Sequence, residues 1–410
     1  MATNLPIPDQ PLKLALIGAG ARSQTVYQPL WESLAPWCVP VAVCDPVAEN
    51  GEPLANALDV PYYGDIRKLV RDRPMEAALV ITPVPSHHSI SVFLSSNGIA
   101  NHTETTWASM VCQAREMVRV ARENKVIVRV GENFFRYPID RFAATVRDNG
   151  YLGRIGRIVS YASHTGYHND SRWIAFAQCH PEWVQSIEHA MAHPAFYEMP
   201  QRRHDKETLK ARFFHFPNDL LVMDVGSGHE KGHLGRHPRD GYTEWQGERG
   251  TLVYRAPGVY WGGETAELRY VSDARLAPAQ EADGNLNGGG VTDVVTPVER
   301  IANDQGHWMG DVADTPQGKI AYESPLGHLA GTGGQGERDW YGLAVMEHTI
   351  AFALAVKRLR DSEFTDEDAL MSDMMEVGAR ESALQEGRRI KLPIEGDLET
   401  DALTREAQKK

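Results

Sequence analysis

Short apolar runs alternate with amphipathic segments over the first 130 residues of the chain. Between the runs, apolar residues recur every three or four positions, which is the spacing of a helix that buries one face. Strands that alternate with helices predict a parallel sheet covered on both faces. The predicted strands are residues 13–18, 39–45, 76–82, 98–103 and 126–131.

The clearest helical pattern covers residues 107–123, where the apolar side chains form one continuous stripe. Thr106 comes directly before it, and a threonine hydroxyl can accept a hydrogen bond from a free N–H at a helix start. We therefore predict a helix with Thr106 as its N-cap. Glu104 and Thr105 occupy the same strand-to-helix junction, so a catalytic role for this segment stays open beside the capping role.

The pattern changes after residue 138, where predicted strands follow one another directly. Such an order indicates a second domain with a mainly antiparallel sheet, so we divide the chain into residues 1–137 and 138–410. Residues 273–337 are rich in Gly, Pro, Asp and Asn, and we expect extended loops there. Two helical patterns close the chain, and the C-terminal helix is expected to pack back on the first domain. The strands predicted in this part are residues 154–164, 211–229, 251–255 and 266–272, and the helices 339–360 and 366–387.

Charge and composition narrow the class of partner. The 410 residues carry a net charge of −13, which disfavours nucleic acids and anionic membranes. The N-terminus has no secretory pattern, and no apolar stretch reaches the length of about 18 residues that spans a bilayer. Four cysteines without close paired spacing are typical of reduced thiols. These features predict a soluble cytoplasmic protein that acts on a small molecule.

The turn LIGAGARS (16–23) follows the first strand and opens a helix. Gly18 and Gly20 fill the first two places of a G-x-G-x-x-G fingerprint, in which the backbone approaches a pyrophosphate at a helix N-terminus, while Ser23 fills the third. Asp45 ends the second strand, where a carboxylate can bind a ribose diol and repel a 2′-phosphate. The pattern favours NAD over NADP, although Arg22 weakens that preference; a purely structural turn is the alternative.

A second candidate cofactor-binding segment is ITPVPSHHS (81–89). Thr82 and Pro83 end the third predicted strand, and His87 falls in the first turn of the next helix. The carboxyl edge of a parallel sheet is where cofactors bind, so His87 is a candidate neighbour of the nicotinamide ribose. A structural histidine is the alternative.

Taken together, these motifs resemble the Gfo/Idh/MocA family of nucleotide-dependent sugar and polyol oxidoreductases. The resemblance implies a Rossmann domain followed by an α+β domain with a large open sheet, one face of which forms a homodimer or homotetramer. It also implies a substrate between the nicotinamide and that sheet. The further motifs that carry it are GIANHTETT, VGENFFRYP, GYLGRIGRI, GYHNDSRWI, GYTEWQGERGTLVY and EGRRIKL. The implied cofactor-binding residues are Gly18, Gly20, Ala21, Arg22, Ser23, Asp45, Thr82, Pro83, His87, Glu104 and Asn133, and the implied substrate-binding residues are Arg136, Tyr167, Asp170 and Arg172.

The chain departs from the family at two catalytic places. The family's Glu-Lys-Pro motif is replaced by Glu104, Thr105 and Thr106, so its lysine is absent. His164 stands where the family often has an aspartate, while His168 matches the family histidine.

Thr105 can donate a hydrogen bond but supplies neither a positive charge nor a base near neutral pH. His168 is therefore the leading candidate base, since imidazole titrates close to working pH. His164 either pairs with it, meets substrate, or is an ordinary strand residue. Asp170 is interpreted as a helix N-cap, whereas Arg172 could reach a substrate carboxylate.

Histidines also recur four apart at His229, His233 and His237, and in HAMAH (189–193). Either spacing could place metal ligands on one face. Glycines and strand-like neighbours favour sheet-surface or interface histidines instead, so no metal is predicted.

Three functions remain. The first is an NAD-dependent oxidoreductase of a carbohydrate, polyol or sugar acid, with histidine as base. The second is an NAD-requiring glycosidase or lyase that restores its cofactor in each turnover. The third is a ligand-binding regulator that has lost catalysis. The cofactor motifs and His168 favour the first.

Overall fold

The structure is a computed structural model of the 410-residue chain. It describes residues 5–161, 166–199, 202–227, 242–255, 265–271, 294–332, 339–396 and 398–409.

The N-terminal part is a six-stranded parallel sheet in the order β3-β2-β1-β4-β5-β6. Apart from Lys13, every residue of the central strands at Leu12–Ile17, Ala77–Val80 and Ala100–Thr103 is buried, because helices cover both faces. The doubly wound parallel sheet predicted from the sequence is confirmed, and β3 is an additional edge strand of two residues. The strands are β1 (Leu12–Ile17), β2 (Cys38–Cys44), β3 (Tyr62–Tyr63), β4 (Ala77–Val80), β5 (Ala100–Thr103) and β6 (Val128–Val130).

Helical segments connect these strands. The first follows the glycine turn as a π-helical stretch (Ser23–Tyr27), a 3-10 turn (Gln28–Leu30) and α1 (Trp31–Leu34). The others are α2 (Ala48–Leu58), α3 (Ile66–Asp72), α4 (Val84–Ser96) and α5 (Val111–Glu123).

The start of α5 corrects the predicted cap. The helix begins at Val111 and not after Thr106. Two carboxylates from the C-terminal part of the chain bind backbone N–H groups ahead of it. Ala108 donates to Asp373 at 3.1 Å, and Val111 donates to Asp401 at 3.4 Å. Tertiary contacts therefore satisfy the free N–H groups that a local threonine was expected to satisfy.

The second sheet has eleven strands in the order β16-β15-β14-β13-β12-β11-β7-β10-β9-β8-β17. Its pairs are antiparallel except for β7 with β10, which confirms a large, mainly antiparallel sheet. The strands are β7 (Ile155–Tyr161), β8 (Trp183–Met199), β9 (Arg202–Phe216), β10 (Leu220–Ser227), β11 (Tyr242–Gly247), β12 (Gly250–Arg255), β13 (Thr265–Tyr270), β14 (Val294–Ala302), β15 (Trp308–Thr315), β16 (Gly318–Glu323) and β17 (Ile390–Lys391).

Three of these strands correct the prediction that residues 273–337 are extended loops. β14, β15 and β16 form one edge of the second sheet. Only Thr296 of β14 and Ile320 of β16 are buried, so neither strand shows the alternating apolar pattern of a half-buried strand. The glycines and asparagines that suggested loops include turn residues between the strands, such as Asn303 and Gly306.

The remaining helices join the two sheets. α9 contacts both β8 of the second sheet and α5 of the first. α8 contacts β5 of the first sheet. The C-terminal part of the chain thus packs back on the Rossmann sheet. The helices are α6 (Pro138–Asp148), α7 (Gly166–Ala177), α8 (Asp339–Val356), α9 (Asp366–Leu384) and α10 (Glu399–Ala407). Among the described residues, none of the helices combines the length and apolarity needed to cross a bilayer.

Candidate active site

The glycine turn after β1 brings backbone against the neighbouring strand. Gly18 has φ of +96°, and a Cβ added there would lie 2.4 Å from the carbonyl oxygen of Ile81. Only glycine fits such a position. At Gly20 an added Cβ would meet nothing within 4 Å, so the space above this residue is open. Ser23, in the third place of the fingerprint, is buried and donates a hydrogen bond to the Gly18 carbonyl at 2.6 Å.

Asp45 ends β2 beside this turn. One carboxylate oxygen accepts from the backbone N–H of Ala19 at 2.7 Å, and the other from that of Val47 at 2.8 Å. The acid is therefore fixed next to the glycine turn, at the carboxyl edge of the parallel sheet. A ribose diol bound over the turn would lie within reach of a carboxylate placed in this way.

Glu104 is buried at the end of β5 and is surrounded by donors. Its Oε1 accepts from Arg22 Nε at 2.9 Å and from the Tyr27 hydroxyl at 2.5 Å. Its Oε2 accepts from the Thr105 N–H at 3.1 Å. Burial would raise the pKa of Glu104, but Arg22 foremost, together with these hydrogen bonds, lowers it, so the group is a carboxylate. Glu104 thus connects the glycine turn to the segment that replaces the family's Glu-Lys-Pro motif.

His87 lies under this segment and is completely buried. Its Nδ1 is 2.9 Å from the Thr106 carbonyl oxygen, and its Nε2 is 2.7 Å from that of Thr82. Both ring nitrogens are engaged with the backbone and no ring surface is exposed. The predicted contact of His87 with a cofactor ribose is therefore not supported, and the ring instead holds two carboxyl-edge segments together. Thr82 is half-buried and Pro83 exposed at that edge.

His168 lies in the first turns of α7 with a carboxylate partner. Its Nδ1 is 3.1 Å from Glu132 Oε2, and the ring stacks on Phe134 at a centroid distance of 4.3 Å. Ser171 donates to the same Glu132 oxygen at 3.0 Å. His168 is 9% exposed and Glu132 is 4% exposed. The carboxylate fixes the Nδ1–H tautomer, which leaves Nε2 as the basic ring nitrogen.

Tyr167 lies near both the side chains around Glu104 and the His168–Glu132 pair. Its ring centroid is 4.2 Å from that of His168, and it lines a small cavity together with Thr106 and Glu132. Burial first, and then the negative charges of Glu132 and Glu104, raise the pKa of Tyr167 to about 12. Its phenol therefore remains protonated at neutral pH and lies within electrostatic range of both carboxylates.

Asn133 follows Glu132 and is also buried. Its carboxamide oxygen has no hydrogen-bond partner among the described residues. A buried acceptor left without a donor is costly, so this position fits a bound molecule that supplies an N–H or O–H.

Two residues expected near substrate are occupied elsewhere. Asp170 lies inside α7, fully buried, and pairs with Arg212 at 3.1 Å, so it is not the helix N-cap that we predicted. Arg172 is buried and donates to Asp140 at 2.8 Å and to the Thr243 hydroxyl at 3.3 Å. These contacts fasten α7 to its surroundings and give neither residue a free group for a substrate.

Arg136 also lies apart from His168. Its guanidinium is 3.6 Å from Glu363 and 4.0 Å from Glu347, and it lines a separate pocket with Arg141 and Tyr322. The structure therefore does not bring Arg136 together with Glu104 and Glu132.

Several predicted residues lie outside the described residues, namely His164, His229, His233 and His237. His189 and His193 of the HAMAH segment fall in β8. In the described part of the chain, His, Cys, Asp and Glu form no group of three that could hold a metal ion.

Sequence reasoning missed Glu132, Tyr27 and Tyr341. Glu132 follows β6 at the carboxyl edge of the parallel sheet, and that position is the signal that could have indicated it. Tyr27 and Tyr341 carry no comparable signal, because their partners are 77 and 319 residues away along the chain.

The chain was compared with known protein families, curated proteins and solved structures. Residues 12–132 match the sequence model of an oxidoreductase family with an NAD-binding Rossmann fold. No curated protein matches the sequence.

Several solved structures share the fold of nearly the whole chain. An oxidoreductase from Agrobacterium radiobacter, solved with NAD+, L-tartaric acid and magnesium, has a TM-score of 0.65 at 14% identity, over 93% of this chain and 98% of the other. A myo-inositol 2-dehydrogenase from Lactobacillus plantarum has a TM-score of 0.60 at 14% identity, over 93% and 99%. An aldose-aldose oxidoreductase from Caulobacter crescentus, with glycerol, has a TM-score of 0.65 at 12% identity, over 93% and 100%. At these identities the likeness shows the fold.

Proposed function

We propose that the chain oxidises a hydroxyl-bearing carbon of a carbohydrate, polyol or sugar acid with NAD, because residues 12–132 match the sequence model of an oxidoreductase family with an NAD-binding Rossmann fold. The observation that carries this proposal is the pair formed by His168 and Glu132, 3.1 Å apart beside the cofactor-binding edge. This pair supplies a base that is oriented by a carboxylate. Without it, a chain that lacks the family lysine would have no evident group to take the hydroxyl proton.

The residues at the sheet edge fit NAD. The open space above Gly20 accommodates a pyrophosphate, and Asp45 beside the turn suits a ribose diol and repels a 2′-phosphate. The unpartnered carboxamide oxygen of Asn133 can accept a hydrogen bond from the bound cofactor or substrate. When bound, NAD accepts a hydride from the carbon that carries the substrate hydroxyl.

His168 then takes the hydroxyl proton. With Nδ1 held by Glu132, its Nε2 lone pair is the group that can accept a proton from a hydroxyl at hydrogen-bond distance. The resulting imidazolium is stabilised by the Glu132 carboxylate, as in other histidine–carboxylate pairs. Phe134 stacks on the ring and Ser171 holds Glu132, so the pair keeps one orientation.

The substrate class is supported by the solved relatives, which include a myo-inositol dehydrogenase and an aldose oxidoreductase. Both have the same fold as this chain, and both are named for compounds rich in hydroxyl groups. The test is a panel of inositols, aldoses, alditols and sugar acids incubated with the protein and NAD+. Net accumulation of NADH with one of them is expected. Product formed without net NADH would instead support the redox-neutral glycosidase or lyase.

We also propose that the chain forms a homodimer or homotetramer through the open face of the second sheet. Ile187, Met191 and Leu209 lie on one face of β8 and β9 and are 60%, 45% and 45% exposed. Apolar side chains grouped in this way are typical of an interface. Sedimentation of wild type and Leu209→Glu should show a larger species that the substitution dissociates; a wild-type monomer would contradict this.

A further inference from the structure

Thr105 brings no positive charge to the place where the family has its lysine, yet a cation lies close by. Arg22, in the glycine turn, contacts the Glu104 carboxylate through Nε and Nη2, both at 2.9 Å, while the N–H of Thr105 binds the other oxygen of that carboxylate. We propose that Arg22 supplies the positive charge that stabilises the developing alkoxide of the substrate. This inference rests on the proposed oxidoreductase function.

The guanidinium of Arg22 is held on several sides. Besides the two contacts to Glu104, its Nη1 donates to the Tyr341 hydroxyl. The guanidinium carbon of Arg22 lies 5.9 Å from the centroid of the Tyr27 ring and 5.5 Å from that of the Tyr341 ring. Its side chain nevertheless keeps 33% of its surface exposed. A cation that is fixed before substrate arrives needs no reorganisation during the reaction.

Glu104 offsets the charge of Arg22 at long range, but the guanidinium keeps donors for a substrate oxygen, because the contacts to Glu104 and Tyr341 use three of its five N–H groups. The Tyr27 hydroxyl and the Thr105 N–H also bind the Glu104 carboxylate. Burial alone would lower the pKa of Arg22, but Glu104, Tyr341 and Tyr27 raise it above its ordinary value. Arg22 is therefore a permanent cation and cannot be the base.

Tyr167 links the cluster around Arg22 to the His168–Glu132 pair, since the charges of Glu132, Glu104 and Arg22 all act on its hydroxyl. Thr106, which follows the Glu104–Thr105 segment, lines one cavity with Glu132 and Tyr167. Tyr167 in turn packs on His168. A hydroxyl bound between the two clusters can meet a base on one side and a cation on the other.

The two groups divide the work that the family assigns in part to its lysine. The hydroxyl proton goes to His168 Nε2, the carbinol hydrogen leaves with its electron pair as hydride to NAD+, and the carbon–oxygen single bond becomes a carbonyl. Arg22 remains protonated throughout and lowers the energy of the oxygen as it becomes anionic.

The kinetic test removes the cation at position 22 and then adds one at position 105, the residue that follows Glu104. Arg22→Ala should lower kcat at saturating NAD by roughly 100- to 1,000-fold, as removal of one oxyanion donor does. Measurement at saturating NAD separates this loss from any weakening of cofactor binding. Arg22→Ala combined with Thr105→Lys should recover at least about tenfold of kcat, because a lysine at 105 returns a cation next to Glu104. Arg71→Ala, which removes an exposed arginine of the same domain, is the matched control and should leave kcat unchanged.

A binding measurement does not depend on turnover. Glycolate, a small hydroxy acid with an anionic oxygen, is titrated into the NADH-loaded protein, and neutral ethylene glycol serves as the comparison. Arg22→Ala should weaken glycolate binding at least about tenfold relative to wild type, and Thr105→Lys in that background should restore it. Ethylene glycol binding should not respond to either change.

Two results would overturn the role of Arg22. One is a kcat that stays within threefold of wild type in Arg22→Ala, or that falls only because NAD binding is lost. The other is an equal Kd for glycolate in wild type and Arg22→Ala, or no glycolate binding to either protein. Failure of the proposed function looks different, since wild type then yields no NADH with any compound of the panel, and the glycolate titration alone decides the role of Arg22.

Discussion

The orientation of His168 by Glu132 can be tested with Glu132→Gln, which keeps the size of the side chain and removes its charge. The two groups are 3.1 Å apart and both are buried. A hydrogen bond to a charged group contributes about 1.5–3 kcal/mol. If that contribution is made in the transition state, where the ring carries the proton, its loss lowers kcat roughly 13- to 160-fold.

The assay is steady-state NADH formation with the substrate that the panel identifies. Glu132→Gln should lower kcat while the KM for NAD and the melting temperature stay close to those of wild type. Ser171→Ala is the matched control, since Ser171 gives the same Glu132 oxygen a hydrogen bond at 3.0 Å. That bond is made in the ground state and the transition state alike, so its loss should lower kcat less than the loss of the Glu132 charge does. A kcat for Glu132→Gln within threefold of wild type would refute the reasoning, as would an equal or larger loss in Ser171→Ala.

Three further predictions concern the turn, the core and pH. Gly18→Ala should lose NAD binding and also stability, because its Cβ would lie 2.4 Å from the Ile81 oxygen. Gly20→Ala has open space above it and should lose NAD affinity at an unchanged melting temperature. Calorimetry measures the NAD affinity of each variant, and thermal melts measure its stability. Arg212→Met should cost about 3–5 kcal/mol in urea unfolding, because it leaves buried carboxylates without their cation, and a loss below 1 kcal/mol would contradict this. Burial lowers the pKa of His102 from 6.5 to about 3, so below pH 6.5 the unfolded chain binds a proton that the folded one does not, and stability falls as pH drops. Between pH 7 and pH 5, wild type should lose about 2 kcal/mol more than His102→Gln; equal losses would exclude this source.

The sequence was sufficient for the first sheet because its strands are buried on both faces and read as uninterrupted apolar runs. β1 and β4 are examples, since nearly every residue in them is buried. It was insufficient for β14 and β16, because only Thr296 of β14 and Ile320 of β16 are buried and neither strand shows the alternation expected of a half-buried strand. A strand at the edge of a sheet is specified by its neighbours as much as by its own residues.

The site shows a similar division. Gly18 and Asp45 were predictable because their roles depend on local backbone and on fixed spacing. The N-cap prediction for Thr106 was wrong because Asp373 and Asp401, more than 250 residues away, bind the free N–H groups instead. Glu132 follows β6 at the carboxyl edge of the sheet, a position that could have indicated it, but its contact with His168 forms only in the folded chain. Interactions between distant residues leave no periodic pattern in the sequence.

Hydride transfer is the central claim, and isotope tracing measures it most directly. The protein is mixed with NAD+ and the hydroxyl compound that the panel identifies as substrate, deuterated at the carbon to be oxidised, and the NADH formed is analysed by mass spectrometry. We expect each NADH to carry one deuterium, with one equivalent of carbonyl product and a slower rate than with unlabelled substrate. Unlabelled NADH, or product that appears while NAD+ is unchanged, would contradict the account.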